Sequence, residues 1–404
     1  MSQTNSLLKL IIPLSAAAVI SRTFNEFSFF YYLLVPLFIY IIFFGYRFIL
    51  KDNKLRNLII LILLFGLWAG LTSLWSSYPE ISLMRAGYFI FISTGAILAG
   101  YLWQGNNNAS LSFFLLSNII VILFSLFSLL TNIPSDSWTG GNGKGFMGFA
   151  GHQNILASAI LFTVPSVFEK ILNTKIKLNY KIIFLYLLLI LNLIFLVLTY
   201  SRASMLSLLL SVVFYFVFTK KLKALGYFLV IVVSIFSFIW FIPSVKQYAT
   251  DLLKKDFPGV LSSREEIWEK SFIAAKSGYI SGLGYGISHP EIFLPLEPLT
   301  GSHYMNGRFI REKGNSILAV VEETGLLGLI FFLMPLIYIV FLYKNNYKYS
   351  AIILSSVIAF FIHSQFEAWW VGVGSIQLPI YIFFLGSYIN SVRYKEPQNL
   401  EKII

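Results

Sequence analysis

The sequence predicts an all-α integral membrane protein of about twelve transmembrane helices. Three observations carry that expectation: the composition, the recurrence of long apolar runs, and where the basic residues fall. Of 404 residues, 57% are hydrophobic and only 12% charged, with a mean hydropathy of +0.76, whereas charged residues approach about a quarter of a soluble chain. Apolar runs of about 18 residues or more, the length a helix needs to cross a hydrocarbon core of roughly 30 Å, recur along nearly the whole chain. Unpaired backbone groups are intolerable in hydrocarbon, so these runs must be helices; barrel strands would give short alternating segments instead.

Taken in order, the first run, 7 to 20, holds Lys9 near its start, Pro13 within it and the small residues Ala16 to Ala18 towards its end. It reads as a first helix rather than a cleaved leader, because nothing beyond it resembles a secreted domain. Apolar runs at 28 to 46, 58 to 75, 83 to 103, 111 to 131 and 153 to 169 complete the first half, each bounded by polar or charged residues. The second half repeats the pattern at 182 to 200, 203 to 219, 225 to 243, 316 to 343, 350 to 366 and 373 to 391. Residues 1 to 404 thus form a single polytopic membrane domain, without an internal repeat.

The net charge of +12 would suit a nucleic-acid binder. The basic residues, however, lie between apolar runs, where cytoplasmic loops of membrane proteins collect them. With a cytoplasmic N-terminus, the inside loops hold Arg47, Lys51, Lys54 and Arg56, then Lys170, Lys175, Lys177 and Lys181, then Lys220, Lys221 and Lys223, then Lys344 and Lys348. Arg393, Lys395 and Lys402 follow in the tail, while the short outside loops keep only Arg22, Arg85, Lys144 and Arg202. A wrong helix count would scramble this asymmetry, so both termini are expected in the cytoplasm.

One outside segment, 244 to 315, is long and mixed in charge, with Pro258, Gly282, Gly284, Gly286 and Pro290 along it. Loops of that length tend to be lids or binding loops. Within it, 263 to 276 reads as a short amphipathic helix, with Ser262 or Ser263 as cap and Glu265 and Glu266 in its first turn. A smaller outside loop, 132 to 151, is rich in glycine. The chain has no cysteine, which excludes disulfides, thiolate metal sites and a cysteine nucleophile.

Arg202 stands between two apolar runs with almost no loop, so its guanidinium lies near membrane depth, where charge is expensive unless it meets an anion or a wet cavity. Arg264, beside Trp268, opens the amphipathic stretch. Two arginines with helix N-terminal donors can grip a pyrophosphate and stabilise it as it leaves; the plainer alternatives are a snorkelling Arg202 and a solvated Arg264. Of the histidines, His303 lies in a polar loop, His152 at a helix start suits capping or packing, and His289 precedes a turn proline. His363 lies near the outer end of its helix with Glu367 one turn on, as a structural pair or an acceptor entrance. No compact metal-ligand spacing exists. Trp138, Trp369, Trp370 and Tyr304 fit an interfacial belt better than sugar stacking.

Five stretches then stand together: 151 to 157, 199 to 203, 263 to 268 with 282 to 286, 315 to 328, and 365 to 375. They resemble bacterial O-antigen ligases and the related polysaccharide polymerases, membrane glycosyltransferases acting on undecaprenyl-pyrophosphate-linked glycans. The most specific is Asn315, Glu323, Gly325 and Gly328, which fall where the family carries Asn, Glu, Gly and Gly. The resemblance implies a GT-C-like fold in a bacterial inner membrane with a periplasmic active site, and an inverting, metal-independent transfer without cofactor. It implies that Arg202 and Arg264 hold the lipid pyrophosphate. Many ligases place a histidine directly before the motif asparagine to activate the acceptor hydroxyl, whereas Gly314 stands here, so His303, Glu312 and Lys313 become the candidate catalytic residues.

The implied partners are an undecaprenyl-pyrophosphate-linked glycan donor, a glycan or lipid A core acceptor, and membrane lipid; nucleic acid is not among them. Shared motifs leave ligase and polymerase both open, for lipopolysaccharide or for a surface or exopolysaccharide. A transporter or flippase of lipid-linked saccharide is the competing class, favoured by helix number alone. A purely structural membrane partner is the third.

Overall fold

The computed structural model describes residues 34–102, 112–134, 137–140, 143–173, 179–241, 262–288, 313–343, 348–371 and 375–393. Its helices are α1 (Leu34–Lys51), α2 (Asn53–Leu71), α3 (Pro79–Leu102), α4 (Ser112–Thr131), α5 (Gln153–Asn173), α6 (Tyr180–Leu198), α7 (Arg202–Phe218), α8 (Leu222–Phe241), α9 (Ser262–Gly278), α10 (Ser316–Phe341), α11 (Lys348–His363) and α12 (Gln377–Arg393). Every apolar run from 28 onward has its helix, with ends shifted by a few residues. The run at 7 to 20 lies outside the described residues. Helix α9 covers the stretch 263 to 276 expected to be helical, although Phe272 and Ile273 on it are exposed and Ser271, Ala274 and Ala275 are buried; the glycine-rich loop carries a two-residue antiparallel ladder, Thr139–Gly140 with Gly143–Lys144.

Among the described residues, seven helices are long and apolar enough to cross a membrane, α1 to α6 and α10; α7, the stretch Leu222–Ser234 of α8, and Ser350–His363 of α11 are apolar but shorter. Helix α12 packs along α3, α7 along α11, α9 along α10, and α2 lies against both α3 and α10. Apolar side chains fill these seams: Phe65, Phe162, Phe360 and Phe384 are fully buried, with Phe162 stacked on Phe360 at 4.0 Å.

Two asparagines within the bundle pair with each other, as hydrocarbon favours. Asn118 Nδ2 donates to Asn192 Oδ1 at 2.8 Å and Asn192 Nδ2 returns a bond to Asn118 Oδ1 at 2.9 Å. Asn118 Nδ2 also lies 2.9 Å from Thr163 Oγ1, so this knot ties α4, α5 and α6.

Hydrogen bonds between helix ends sort the connections into two groups. At one end Asp52 caps α2 through Lys54 N at 2.9 Å and accepts from Tyr101 OH at 2.7 Å. There too Asn390 Nδ2 donates to the Tyr101 carbonyl at 2.6 Å and Tyr343 OH donates to the Phe218 carbonyl. The opposite end gathers the starts of α3, α5, α7, α10 and α12 with the segment after α9, and there the polar residues converge.

Candidate functional site

The site is organised by a break in α10. Asn315 caps that helix, Oδ1 accepting from Leu318 N at 3.0 Å, while its Nδ2 donates to the Gln365 carbonyl at 3.1 Å. At Gly325 the chain leaves helical geometry, with φ 71° and ψ −176°. A Cβ there would lie 2.0 Å from the Ile280 carbonyl oxygen, so only glycine fits.

A helix break in a membrane protein frees backbone groups that need partners. The segment after α9 supplies them. Leu283 N and Gly284 N donate to the carbonyls of Glu322 and Glu323, both at 3.0 Å, while Leu326 N donates to Tyr279 O at 3.0 Å and Leu327 N to Ile280 O at 3.3 Å. Trp68 Nε1 closes the last gap on Thr324 O at 2.8 Å. The motif residues Asn315, Gly325 and Gly328 thus shape and cap this helix.

Glu322 and Glu323 lie at the end of its first half and are fully buried. Buried charge must be paired, and Lys313 is the partner: its ammonium bonds Glu323 Oε1 and lies 3.4 Å from Glu322 Oε2. The other Glu323 oxygen, Oε2, accepts the Gly286 N–H at 2.7 Å. Gly286 has φ +84°, and a Cβ on it would lie 2.4 Å from Arg85 Cδ, so the absent side chain is the space in which Arg85 rests. Burial first, and the Glu323 carboxylate second, push the neighbouring Tyr285 phenol above its ordinary value, against the pull of Arg85. That hydroxyl and the Ser288 hydroxyl are buried, and neither has a hydrogen-bond partner among the described residues.

Above this cluster opens a cavity of ≈ 500 Å³, lined by Arg85, Lys313, Glu323 and Ser288 on one side and by His152, Asn154, His363, Glu367, Trp369 and Gln377 on the other. Asn154 Nδ2 donates to Glu367 Oε1 at 2.8 Å. Trp369 Nε1 donates to His363 Nδ1 at 3.1 Å; since an indole N–H can only donate, Nδ1 is the acceptor and Nε2 carries the ring proton. That proton is directed at Ser204 Oγ, 3.0 Å away. His363 is thereby locked as a neutral ring joining α11 to the start of α7.

The residues singled out from sequence fall unevenly on this geometry. Lys313 and Glu323 face the cavity together. Arg202 is the first residue of α7, half-buried, beside buried Ser201, whose hydroxyl donates to Ser204 Oγ at 3.1 Å; Arg202 is not among the residues that line the cavity. Arg264 belongs to the first turn of α9, and its side chain lies outside what the structure describes, as do His289, His303, Tyr304 and Glu312. Gly314 has φ +60°, and a Cβ there would lie 2.4 Å from Ile267 Cγ2. That conformation and contact would strain any side chain placed directly before Asn315. His152 does act in capping, its Nδ1 accepting from Asn154 N at 3.1 Å. His363 and Glu367 both line the cavity, each bonded to another residue. Trp369 and Trp370 are buried, in the core rather than in an interfacial belt.

Arg85, Gly286 and Asn154 were not expected here as site residues. Arg85 looked like one more charge in a short outside loop, and only its intermediate position between Ser82 and Phe89 on the buried face of α3 hinted otherwise. Among the described residues no cluster of three or more potential metal ligands occurs.

Fold and site together define a multi-pass helical membrane protein with a deep polar cavity at one end of the bundle. Residues 187–333 match the O-antigen ligase family, which bears out the resemblance read from the motifs. The match runs from α6 into α10 and takes in Arg202, Arg264, Lys313, Asn315, Glu323, Gly325 and Gly328. No curated protein and no solved structure matches the chain.

Proposed function

We propose that this protein is an O-antigen ligase-like glycosyltransferase of the bacterial inner membrane, which moves a glycan from an undecaprenyl-pyrophosphate carrier to a sugar hydroxyl at the periplasmic face. The match over residues 187–333 carries this reading. The cavity supports it, because the end predicted to lie outside is where the charged residues converge on a space of ≈ 500 Å³, within the range of small-molecule sites.

In this reading about twelve helices span the membrane with both termini inside, and the segment 244 to 315 closes over the periplasmic end. Arg202 and Arg264 hold the diphosphate as the anomeric carbon–oxygen bond to it breaks. The acceptor oxygen attacks from the opposite face with inversion, and the departing lipid diphosphate takes the bonding electrons. No metal and no cofactor takes part. Lys313, ion-paired with two glutamates, serves as a donor and organiser, which leaves His303 or Glu312 to receive the acceptor proton. Arg85 adds positive charge at the cavity floor. The acceptor is lipid A core for a ligase, or a second lipid-linked repeat for a polymerase.

Broken helices with charged residues also occur in carriers. In those the unwound backbone coordinates ions and substrate, whereas here the groups freed by the break and named above are bonded to neighbouring backbone or Trp68. Reconstitution of the purified protein with labelled lipid-linked glycan separates the classes. Transfer to an acceptor with release of undecaprenyl pyrophosphate is expected; movement of the lipid between leaflets without turnover would instead establish a flippase.

A further inference from the structure

The bundle has a second cavity, ≈ 220 Å³, lined largely by apolar side chains of α5, α7 and α11 together with Lys221. It lies at the end away from the polar cavity, near the close of α5 and α7 and the early turns of α11. Leu161, Phe168, Leu208 and Phe360 form apolar walls. A dry cavity of about 150 Å³ already takes a benzene-sized guest, so this one has room for a segment of hydrocarbon chain.

Two features set it apart from a packing defect. Among the described residues the Tyr215 hydroxyl, buried at this cavity, has no hydrogen-bond partner, a costly state that a bound acceptor group relieves. Pro165, inside α5, has no N–H for the Leu161 carbonyl, and both residues line the same space. At its rim stands Lys221, exposed, next to Lys220 in the turn between α7 and α8, on the side where basic residues attract anionic lipid headgroups.

We infer that this cavity is a binding site for an anionic phospholipid of the leaflet opposite the polar cavity. One acyl chain enters between α5, α7 and α11, and the phosphate lies against Lys221 within reach of the Tyr215 hydroxyl. The site requires that the chain lie in a membrane and is independent of the glycan-transfer reading. The same helices carry Asn154, Ser204 and His363 at their other ends, so the lipid braces the elements that shape the polar cavity.

The test is native mass spectrometry of the full-length protein, extracted in mild detergent and offered phosphatidylglycerol or phosphatidylcholine, alongside thermal unfolding in the same mixtures. Parent protein is expected to retain phosphatidylglycerol at least tenfold more than phosphatidylcholine and to gain several degrees of stability from it. Leu208→Trp, which fills the cavity, and Lys221→Glu, which reverses the rim charge on an exposed residue, should each remove both effects. Equal retention of the two lipids by the parent, unchanged retention in Lys221→Glu, or a polyprenyl chain as the species retained would overturn the inference.

Discussion

Replacing Lys313 by methionine tests the ionic cluster at the base of the cavity. Its side chain is 6% exposed, Glu322 0% and Glu323 1%, so solvent does little to screen the charges. Taking one partner out of a buried ion pair costs about 3 to 5 kcal/mol, because the remaining charge stays desolvated and uncompensated. Here two carboxylates lose their cation, which puts the expected cost at the upper end. Tyr285 and the Gly286 N–H, both close to Glu323, would shift with it. The measurement is thermal or denaturant unfolding in detergent, followed by tryptophan fluorescence. Lys313→Met should unfold several degrees below the parent. The triple variant Lys313→Met, Glu322→Gln, Glu323→Gln should recover most of that loss, since neutral replacement of buried ions is often close to neutral in stability. A Lys313→Met protein as stable as the parent would refute the assignment of a buried, mutually compensated cluster.

Gly325→Ala should destabilise the protein more than Gly286→Ala: its Cβ meets the Ile280 backbone oxygen at 2.0 Å with φ at 71°, and strain of about 1 to 3 kcal/mol from the backbone alone adds to the clash; yield and unfolding temperature report it. Gly286→Ala meets a flexible arginine instead, at 2.4 Å from Arg85 Cδ, so the fold should survive while displaced Arg85 lowers transfer at least tenfold in a turnover assay. Trp369→Phe leaves His363 Nδ1 without its donor and should cost about 1 to 3 kcal/mol, measured by unfolding. Arg202→Ala and Arg264→Ala should each weaken donor binding by about 1.5 to 3 kcal/mol and abolish detectable transfer with expression intact; wild-type turnover in either variant removes that arginine from the site.

Membrane helices are legible in sequence because hydrocarbon imposes one rule on every span, a long apolar run. That is why the runs at 83 to 103 and 182 to 200 are recovered as helices within a few residues of their expected ends. The break at Gly325 obeys a different logic. Its neighbours are apolar on the far side and its glycine is compatible with an unbroken helix, so the signal lay only in the motif, not in hydropathy. Its partners come from residues 279 to 284, a long-range pairing that no local pattern encodes. Arg85 was misread for the same reason: its meaning depends on Gly286, two hundred residues away. The Asn118 to Asn192 pair, buried in two runs read as plainly hydrophobic, is another case. Lys313 reads from sequence as a candidate base, and its buried pairing with Glu322 and Glu323 is a long-range feature that the local sequence does not display.

The account stands on a lipid diphosphate held at the outer rim of the polar cavity. Electron cryomicroscopy of the full-length protein in nanodiscs with undecaprenyl pyrophosphate tests this directly. Phosphate density within about 3 Å of the Arg202 and Arg264 guanidinium groups, a charge-assisted hydrogen-bond distance, with the prenyl chain leaving between helices beside the cavity, is the expected result. Density for the diphosphate at the opposite end of the bundle, or none near Arg202 at saturating lipid, would contradict it.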